Sequence, residues 1–488
     1  MKPAALSAFA VALALTAWAQ AADVRIEHVT VISAERAAPL EDAIVVVHEG
    51  RIASVTAAKA APPAGAATVI DARGLFLTPG LIDAHVHLGD VPGMRPDQEA
   101  AHPGIANAAF DQMPRSFLLY GFTTLIDLVS TPRAMAAWRK HELVPDTFFC
   151  GATPVMDGYP TNYSPKPQRY LGFPYMLVEP PAPAPAGVDP AAHTPRAVVA
   201  RIKADGALCV KAFFERGFDT DRNLPVPSRE TIRALVAAAH AAGLPVLLHA
   251  NGAEGHAFAL DAGVDVVVHG LWNWGPVTAT GDGLPPPIQA ILDREIAAKI
   301  GWEPTRQVLQ GIRDLASTTF LADPRLAAVV PASLIAWYRT SEGQWFKAML
   351  MPDGDVAGID PVIAHSRQAT AYMVKNGARI LFGSDTPSAP TFANPPGLNG
   401  FLEMQRLVES GETPAQIFAS ATVANARTFK LDRDVGTVEA GKRANLLLLR
   451  QDPTKTIDAY ANIAKVILGG RVIEAAELRA DRREAASR

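Results

Sequence analysis

The chain reads as an α/β protein: a (β/α)8 TIM-type barrel with a small composite β-sandwich domain built from both termini. Three observations carry that expectation. Eight short apolar runs alternate with helical patterns between Leu81 and about Ser384, period-two strands mark both ends, and 49% hydrophobic residues against 19% charged in 488 supply a large core. That composition excludes disorder for most of the chain. Lys and Arg number 45 against 49 Asp and Glu, a net charge of −4 without long blocks of either sign, which argues against nucleic-acid binding. Two cysteines exclude a disulfide scaffold and a four-cysteine zinc module.

Residues 1–21 carry Lys2, an apolar stretch from Ala4 to Ala17 and the small-x-small exit Ala19-Gln20-Ala21, the pattern of a cleaved secretory signal peptide. The expected mature chain starts at Ala22 and is periplasmic or secreted. It has no membrane contact after cleavage, because no later apolar run is long enough to span a bilayer. Over 22–77, VRIEHVTVIS, AIVVVHEGRIASV and ATVIDARGLFLTPG alternate apolar and polar residues between Gly, Pro and Asp breaks, as half-buried strands do. The same texture returns over 431–478 in GTVEAGKRANLLLLRQD and IAKVILGGRVIEAAE, so both ends are expected to build one β domain around the barrel of 78–430. Residues 479–488 read as a solvated, frayed charged tail.

Within the barrel the strand candidates are LIDAHVHL, FTTLIDLV, TFFCGA, ALCVKAFF, LPVLLHA, VDVVVHG, AKIGWEP and RILFGSD. Between the fourth and fifth, Ser228 caps a helix whose face is Ile232, Leu235, Val236 and Ala239, and Gly243 stops it. Strands separated by helices give a parallel sheet, and eight units close most economically into a barrel; an open doubly wound sheet is the alternative. The stretch from Gln307 to Val374 reads as an insertion whose helix covers one flank.

The chemistry lies at the strand ends. On LIDAHVHL, alternation puts Asp83, His85 and His87 on one face and Ile82, Ala84, Val86 and Leu88 on the other, outward onto helices. Imidazoles at i and i+2 lie about 6.5 Å apart at Cα and can converge on one metal. His249 and His269 end two further strands, and Asp385 ends the last, beside the first in a closed barrel. Lys211, flanked by Val210, Ala212, Phe213 and Phe214, is expected to be buried, where a bare ammonium would be repelled by the metal ions the histidines imply. A carbamate formed from the amine and CO2 is anionic and could bridge two cations, which removes the conflict. The competing reading is a lysine whose head leaves through the barrel mouth.

LTPGLIDAHVHL, GFTTLIDL, CVKAFF, VLLHANG, DVVVHG, ILFGSDT, ASATVANARTF and GTVEAGKRANLLLL together resemble the metal-dependent amidohydrolase superfamily, in its imidazolonepropionase-like and Xaa-Pro dipeptidase-like branch. The resemblance implies two divalent ions, Zn2+ being the expected metal. His85 and His87 with Asp385 would bind one, His249 and His269 the other, and carboxylated Lys211 would bridge them. It implies hydrolysis of a C–N bond by a metal-bound hydroxide, with Asp385 carrying the proton to the leaving nitrogen. Asn445 departs from the family's usual Asp, with an effect expected only on the small domain.

The loop from Pro154 to Pro190 follows the third strand and carries Tyr159, Tyr163, Lys166, Arg169, Tyr170 and Tyr175 among prolines. Tyr159, Tyr163, Arg169 and Tyr170 are the candidate substrate contacts, the cations serving an α-carboxylate of a dipeptide or N-acyl amino acid; an exposed proline-rich excursion is the alternative. His28, His48, His102, His141, His193, His240 and His365 read as structural, His256 as a surface residue with a place behind the ligands as the alternative, and Cys150 and Cys209 as buried free thiols. A lactone or phosphotriester hydrolase on the same metals and a non-catalytic binding protein on the scaffold are the competing functions. The partner is a small-molecule substrate, and the sequence leaves a homo-oligomer open.

Overall fold

The computed structural model describes residues 23–60, 68–166, 168–177, 187–218, 223–278, 283–354, 356–388 and 390–486. The signal-peptide segment 1–21 and the expected first mature residue lie outside them. Among the described residues, no helix is long and apolar enough to cross a membrane.

Strands from both ends pair into one sheet. The N-terminal ones are β1 (Val24–Val31), β2 (Leu40–His48), β3 (Arg51–Ala57), β4 (Thr68–Asp71) and β5 (Phe76–Pro79). The barrel contributes β6 (Leu81–Val86), β7 (Phe122–Asp127), β8 (Asp146–Ala152), β9 (Cys209–Phe213), β10 (Val246–His249), β11 (Val266–Val268), β12 (Gly301–Glu303) and β13 (Arg379–Ile380). The chain then returns as β14 (Leu446–Leu449), β15 (Ile463–Leu468) and β16 (Arg471–Glu474). The terminal sheet runs β16-β15-β14-β5-β1-β2-β3, with β4 also pairing β1, so β14 lies antiparallel against β5. All of β14 is buried because both its faces are covered. Leu446 and Leu448 join the small core of Ile26, Val29, Val45, Val47 and Leu77, whereas Leu447 and Leu449 join the large core of the barrel and its helices. Four consecutive leucines therefore fit a strand that alternation alone would not have predicted.

Gly80 joins the sheet to the barrel. A Cβ there would fall 1.9 Å from Thr123 Oγ1, so only glycine allows β5 to pass so close to β7. Asn445 ties the two parts further, which corrects the expectation that its effect stays in the small domain. Its carbonyl O accepts from Gly80 N at 2.8 Å, and its Nδ2 donates to Asp146 Oδ2 of β8 at 2.8 Å. An aspartate at 445 would set two carboxylates against each other there.

β6 to β13 stand in chain order, each parallel to the next. The ring closes past β13, where Ala84 N donates to Phe382 O at 3.2 Å, Asp385 N to His85 O at 2.7 Å and His87 N to Thr386 O at 2.7 Å. This is a TIM-type barrel, not an open sheet. The helix Arg229–Ala241 has the expected cap, Ser228 Oγ accepting from Thr231 N at 3.1 Å, and buries Ile232, Leu235, Val236 and Ala239. Between β12 and β13 the insertion forms several helices. Tyr338 and Trp345 of this insertion donate to Pro92 O at 2.6 Å and Gly93 O at 3.0 Å, covering the loop after β6.

Two cores separate the outside of the barrel from its inside. Val210, Leu248 and Val267 pack with the surrounding helices, whereas Cys209, Leu247, Val266, Val268 and Leu381 pack with one another and with Ala426, Phe429 and Leu431. Ile82 and Ala84 belong to the inner cluster, contrary to the outward orientation that simple alternation assigned them. The pairing of β6 with β7 shifts register between Asp83 and Val86, and within this irregularity the successive residues Ala84 and His85 both reach the interior.

Cys150 and Cys209 are not free thiols: they face each other on adjacent strands and form a disulfide. The tail is not frayed over its described part either, since Ala480–Ala486 is helical and Arg483 Nη1 donates to Gln112 Oε1 at 3.0 Å. His256 is fully buried against Glu295 at 2.8 Å and is not a surface residue.

Candidate metal centre

The carboxyl ends of β6, β9, β10, β11 and the segment after β13 bring the six expected residues to one end of the barrel. Lys211 shares its strand face with Cys209, and His249 with Leu247, so both point inward above the apolar plug. His269 follows β11 and Asp385 follows β13, each in the left-handed region with φ of 81° and 55°. Such backbone at non-glycine residues is held only where surrounding contacts compensate, and here it turns both side chains toward β6.

Asp385 is the hub. Its Oδ1 lies 3.1 Å from His85 Nε2 and 2.9 Å from His87 Nε2, and its Oδ2 lies 3.9 Å from His269 Nδ1. One ligand atom from each of His85, His269 and Asp385 falls within 4.8 Å of the others. His249 joins through His269, with Nδ1 and Nε2 of the two rings 2.9 Å apart. Lys211 is 1% exposed. Burial lowers its ammonium to about 8, against the pull of Glu303 and Asp385.

Electrostatics follow from the same crowding. Burial would raise Asp385, but the imidazoles outweigh it and hold its carboxyl well below the usual range. Burial alone would lower His85; Asp385 reverses the sign and leaves it raised. Burial lowers His249 and, reinforced by His249, lowers His269 much further, which keeps these imidazoles neutral as metal ligation requires. Asp83 does not face the site: it accepts from Ser384 N at 2.9 Å and Ser384 Oγ at 2.5 Å, and burial pushes it up to about 7.

The residues fit a divalent cation. Imidazoles and a carboxylate are the donors zinc favours, and His249 Nε2 is a buried polar atom with no hydrogen bond among the described residues.

Three contacts of these ligands were missed from the sequence. Glu303, at the end of β12, is fully buried with Oε2 3.4 Å from His85 Nδ1. Glu215 Oε2 lies 3.6 Å from His249 Nε2, and Thr305 Oγ1 lies 2.8 Å from His269 Nδ1. Glu303 was open to discovery: it ends the seventh strand, at the same level as the histidines.

The mouth loop divides. The Tyr159 ring stacks 4.6 Å from the His249 ring and meets Phe213 at 5.8 Å and Phe218 at 5.5 Å, while Trp272 lies 5.2 Å from His269. Tyr163 touches Tyr159 edge-on at 5.9 Å but is 68% exposed. Arg169 and Tyr170 turn away from the ligands. Arg169 donates to Ser164 O at 2.6 Å and Asn162 O at 2.9 Å and pairs with Asp157 at 3.1 Å, and Tyr170 OH donates to the same carboxylate at 2.8 Å. Lys166 lies 3.7 Å from Asp157. These cations staple the loop instead of lining the metal site.

Among solved structures, a Xaa-Pro dipeptidase with bound methionine in its active site is 21% identical, with a TM-score of 0.63 over 93% of this chain and 100% of that one. Molinate hydrolase is 18% identical, with a TM-score of 0.65 over 93% and 95%. These likenesses establish the fold. Imidazolonepropionase from Idiomarina loihiensis is 51% identical over 49 residues, and that from Methylobacterium sp. 32% identical over 105. The matches cover 10% and 22% of this chain and span 12% and 24% of those relatives' length. The profile of the amidohydrolase family matches residues 76–280 and 312–473, taking in all six candidate ligands, and the chain belongs to that family.

Proposed function

We propose that the chain is an exported metal-dependent amidohydrolase cleaving the C–N bond of small amides such as dipeptides or N-acyl amino acids. The observation that carries this reading is the convergence of His85, His87 and His269 on the Asp385 carboxylate, with His249 against His269. A bound pair of divalent ions, Zn2+ by its donor preference, supplies an activated water and a polarised carbonyl. His85, His87 and Asp385 would hold one ion, His249 and His269 the other, and Lys211 would join them as a carbamate. In that modification the neutral Nζ attacks the carbon of CO2: a C–N bond forms, one C–O π bond opens to the carboxylate, and a proton leaves Nζ for solvent. The burial of Lys211 supports it by favouring the neutral amine.

Asp385, ionised among its imidazoles, takes the proton of the attacking water and delivers it to the leaving nitrogen. Tyr159, Phe213, Phe218 and Trp272 form an apolar wall beside His249 and His269, suited to an apolar group next to the scissile bond. With Arg169 held by Asp157, contacts to the substrate's apolar group carry more of the recognition than an α-carboxylate does. Export is supported by the pattern of residues 1–21 and by the Cys150–Cys209 disulfide, since such bonds persist in oxidising compartments. Mass spectrometry of the periplasmic protein should find an N-terminus at Ala22.

The test of the reaction is a panel of dipeptides, N-acyl amino acids, their C-terminal amides, lactones and a phosphotriester on metal-loaded protein. Turnover of the amides, with apolar side chains preferred, is the expected result. Turnover confined to lactones or the phosphotriester would reject C–N cleavage, and no turnover with metals bound would favour a binding protein.

A further inference from the structure

We propose that Glu303 is a positioning residue of the metal centre, its carboxylate accepting the Nδ1–H of His85 so that Nε2 is the nitrogen turned to the metal. The inference rests on the metal-centre reading above. The His85 imidazole lies between two carboxylates: Glu303 Oε2 is 3.4 Å from Nδ1, and Asp385 Oδ1 is 3.1 Å from Nε2. Both ring edges are buried, so neither nitrogen can turn to water.

Neither Glu303 oxygen has a hydrogen bond among the described residues, and neither does His85 Nδ1. A buried carboxylate without a donor is costly, and a small rotation of either side chain would satisfy both groups. Binding of a cation at Nε2 favours that rotation, because the ligand must then carry its proton on Nδ1. The packing keeps the pair together. A Cβ at Gly383 would lie 2.8 Å from His85 Cβ and 3.2 Å from Glu303 Oε2, so the glycine opens the space in which they meet. Fixing the tautomer of a ligating histidine from its far nitrogen is a recurrent use of a carboxylate in metal sites.

The experiment is cobalt(II) titration of metal-free wild type, E303L and E303Q, reading stoichiometry, affinity by chelator competition and the visible spectrum. Leucine removes the acceptor; affinity for one ion should fall on the order of 10–100-fold. Glutamine keeps an oxygen in place as a weaker acceptor, so both ions should remain with a loss of roughly 3–10-fold. Wild-type affinity and spectrum in E303L would overturn the role. So would outright loss of an ion in E303Q, because the carboxylate would then be a ligand itself. Should circular dichroism show E303L unfolded, E303Q decides: a few-fold loss with both ions retained supports the role, and no change in affinity or spectrum overturns it. Wild type that takes up no cobalt would instead sink the metal-centre reading, and this inference with it.

Discussion

Asp385 carries two duties at one carboxylate, and its surroundings allow both. Three imidazoles hold it ionised despite burial, so it enters the reaction able to take a proton. Asp385→Asn should lower kcat on the order of 10²-fold or more while metals stay bound, checked by turnover and metal content on one sample. Near wild-type turnover with metals retained would leave Asp385 a ligand only. Lys211→Ala should lose mainly one of two ions, and short carboxylic acids added in solution should restore part of the activity by standing in for the carbamate. No rescue, with stoichiometry unchanged, would argue that Lys211 bridges nothing. At this scale the histidines and Asp385 were legible in the sequence because they lie at the ends of recognisable strands, and Lys211 because it interrupts an apolar one. Glu303 ends a strand as they do and carries the same signal, whereas Glu215, beyond the end of β9, reads as a solvated charge until the barrel closes over it.

Between elements, contacts fix what alternation leaves open. The register shift in β6 places Ile82, Ala84 and His85 all toward the interior, which a period of two cannot express. The Gly383 gap has a direct consequence. Gly383→Ala should destabilise the fold by about 1–3 kcal/mol and lower metal occupancy, read by urea melts with and without zinc. The Cys150–Cys209 bond spans 59 residues and ties β8 to β9 just below Lys211. Replacing both cysteines with alanine should cost about 2–5 kcal/mol, measured by denaturant unfolding. An unchanged midpoint would mean the strands need no covalent tie. Cysteine pairing escaped sequence reading because register between neighbouring strands is a tertiary fact. Farther from the site, burial pushes Glu412 up to about 8, with Glu403 adding to it. A carboxyl raised on folding keeps its proton in the native state, so its contribution is fully present below the unfolded value near 4.5 and is lost as pH rises to about 8. Glu412→Gln should therefore flatten the fall in stability between pH 5 and 8.5, by about 1–3 kcal/mol at the alkaline end.

The whole molecule is one chain path that leaves a sheet, completes a barrel and returns to the same sheet. That path was legible because texture changes at both ends: alternating strands give way to buried runs between helices, then come back. The disposition of the mouth loop was not, because the loop's cations could serve a substrate or its own Asp157, and only the folded geometry chooses. Asn445 likewise looked like a local departure until its amide was seen to reach Asp146 across the seam. The central claim is that six strand-end residues form one two-metal centre. Anomalous diffraction at the zinc edge from crystals of the zinc-loaded protein tests it most directly. The account predicts two peaks per chain, one among His85, His87 and Asp385 and one beside His249 and His269, with carboxylate density continuing from Lys211 Nζ between them. A single peak with bare Lys211 would contradict it.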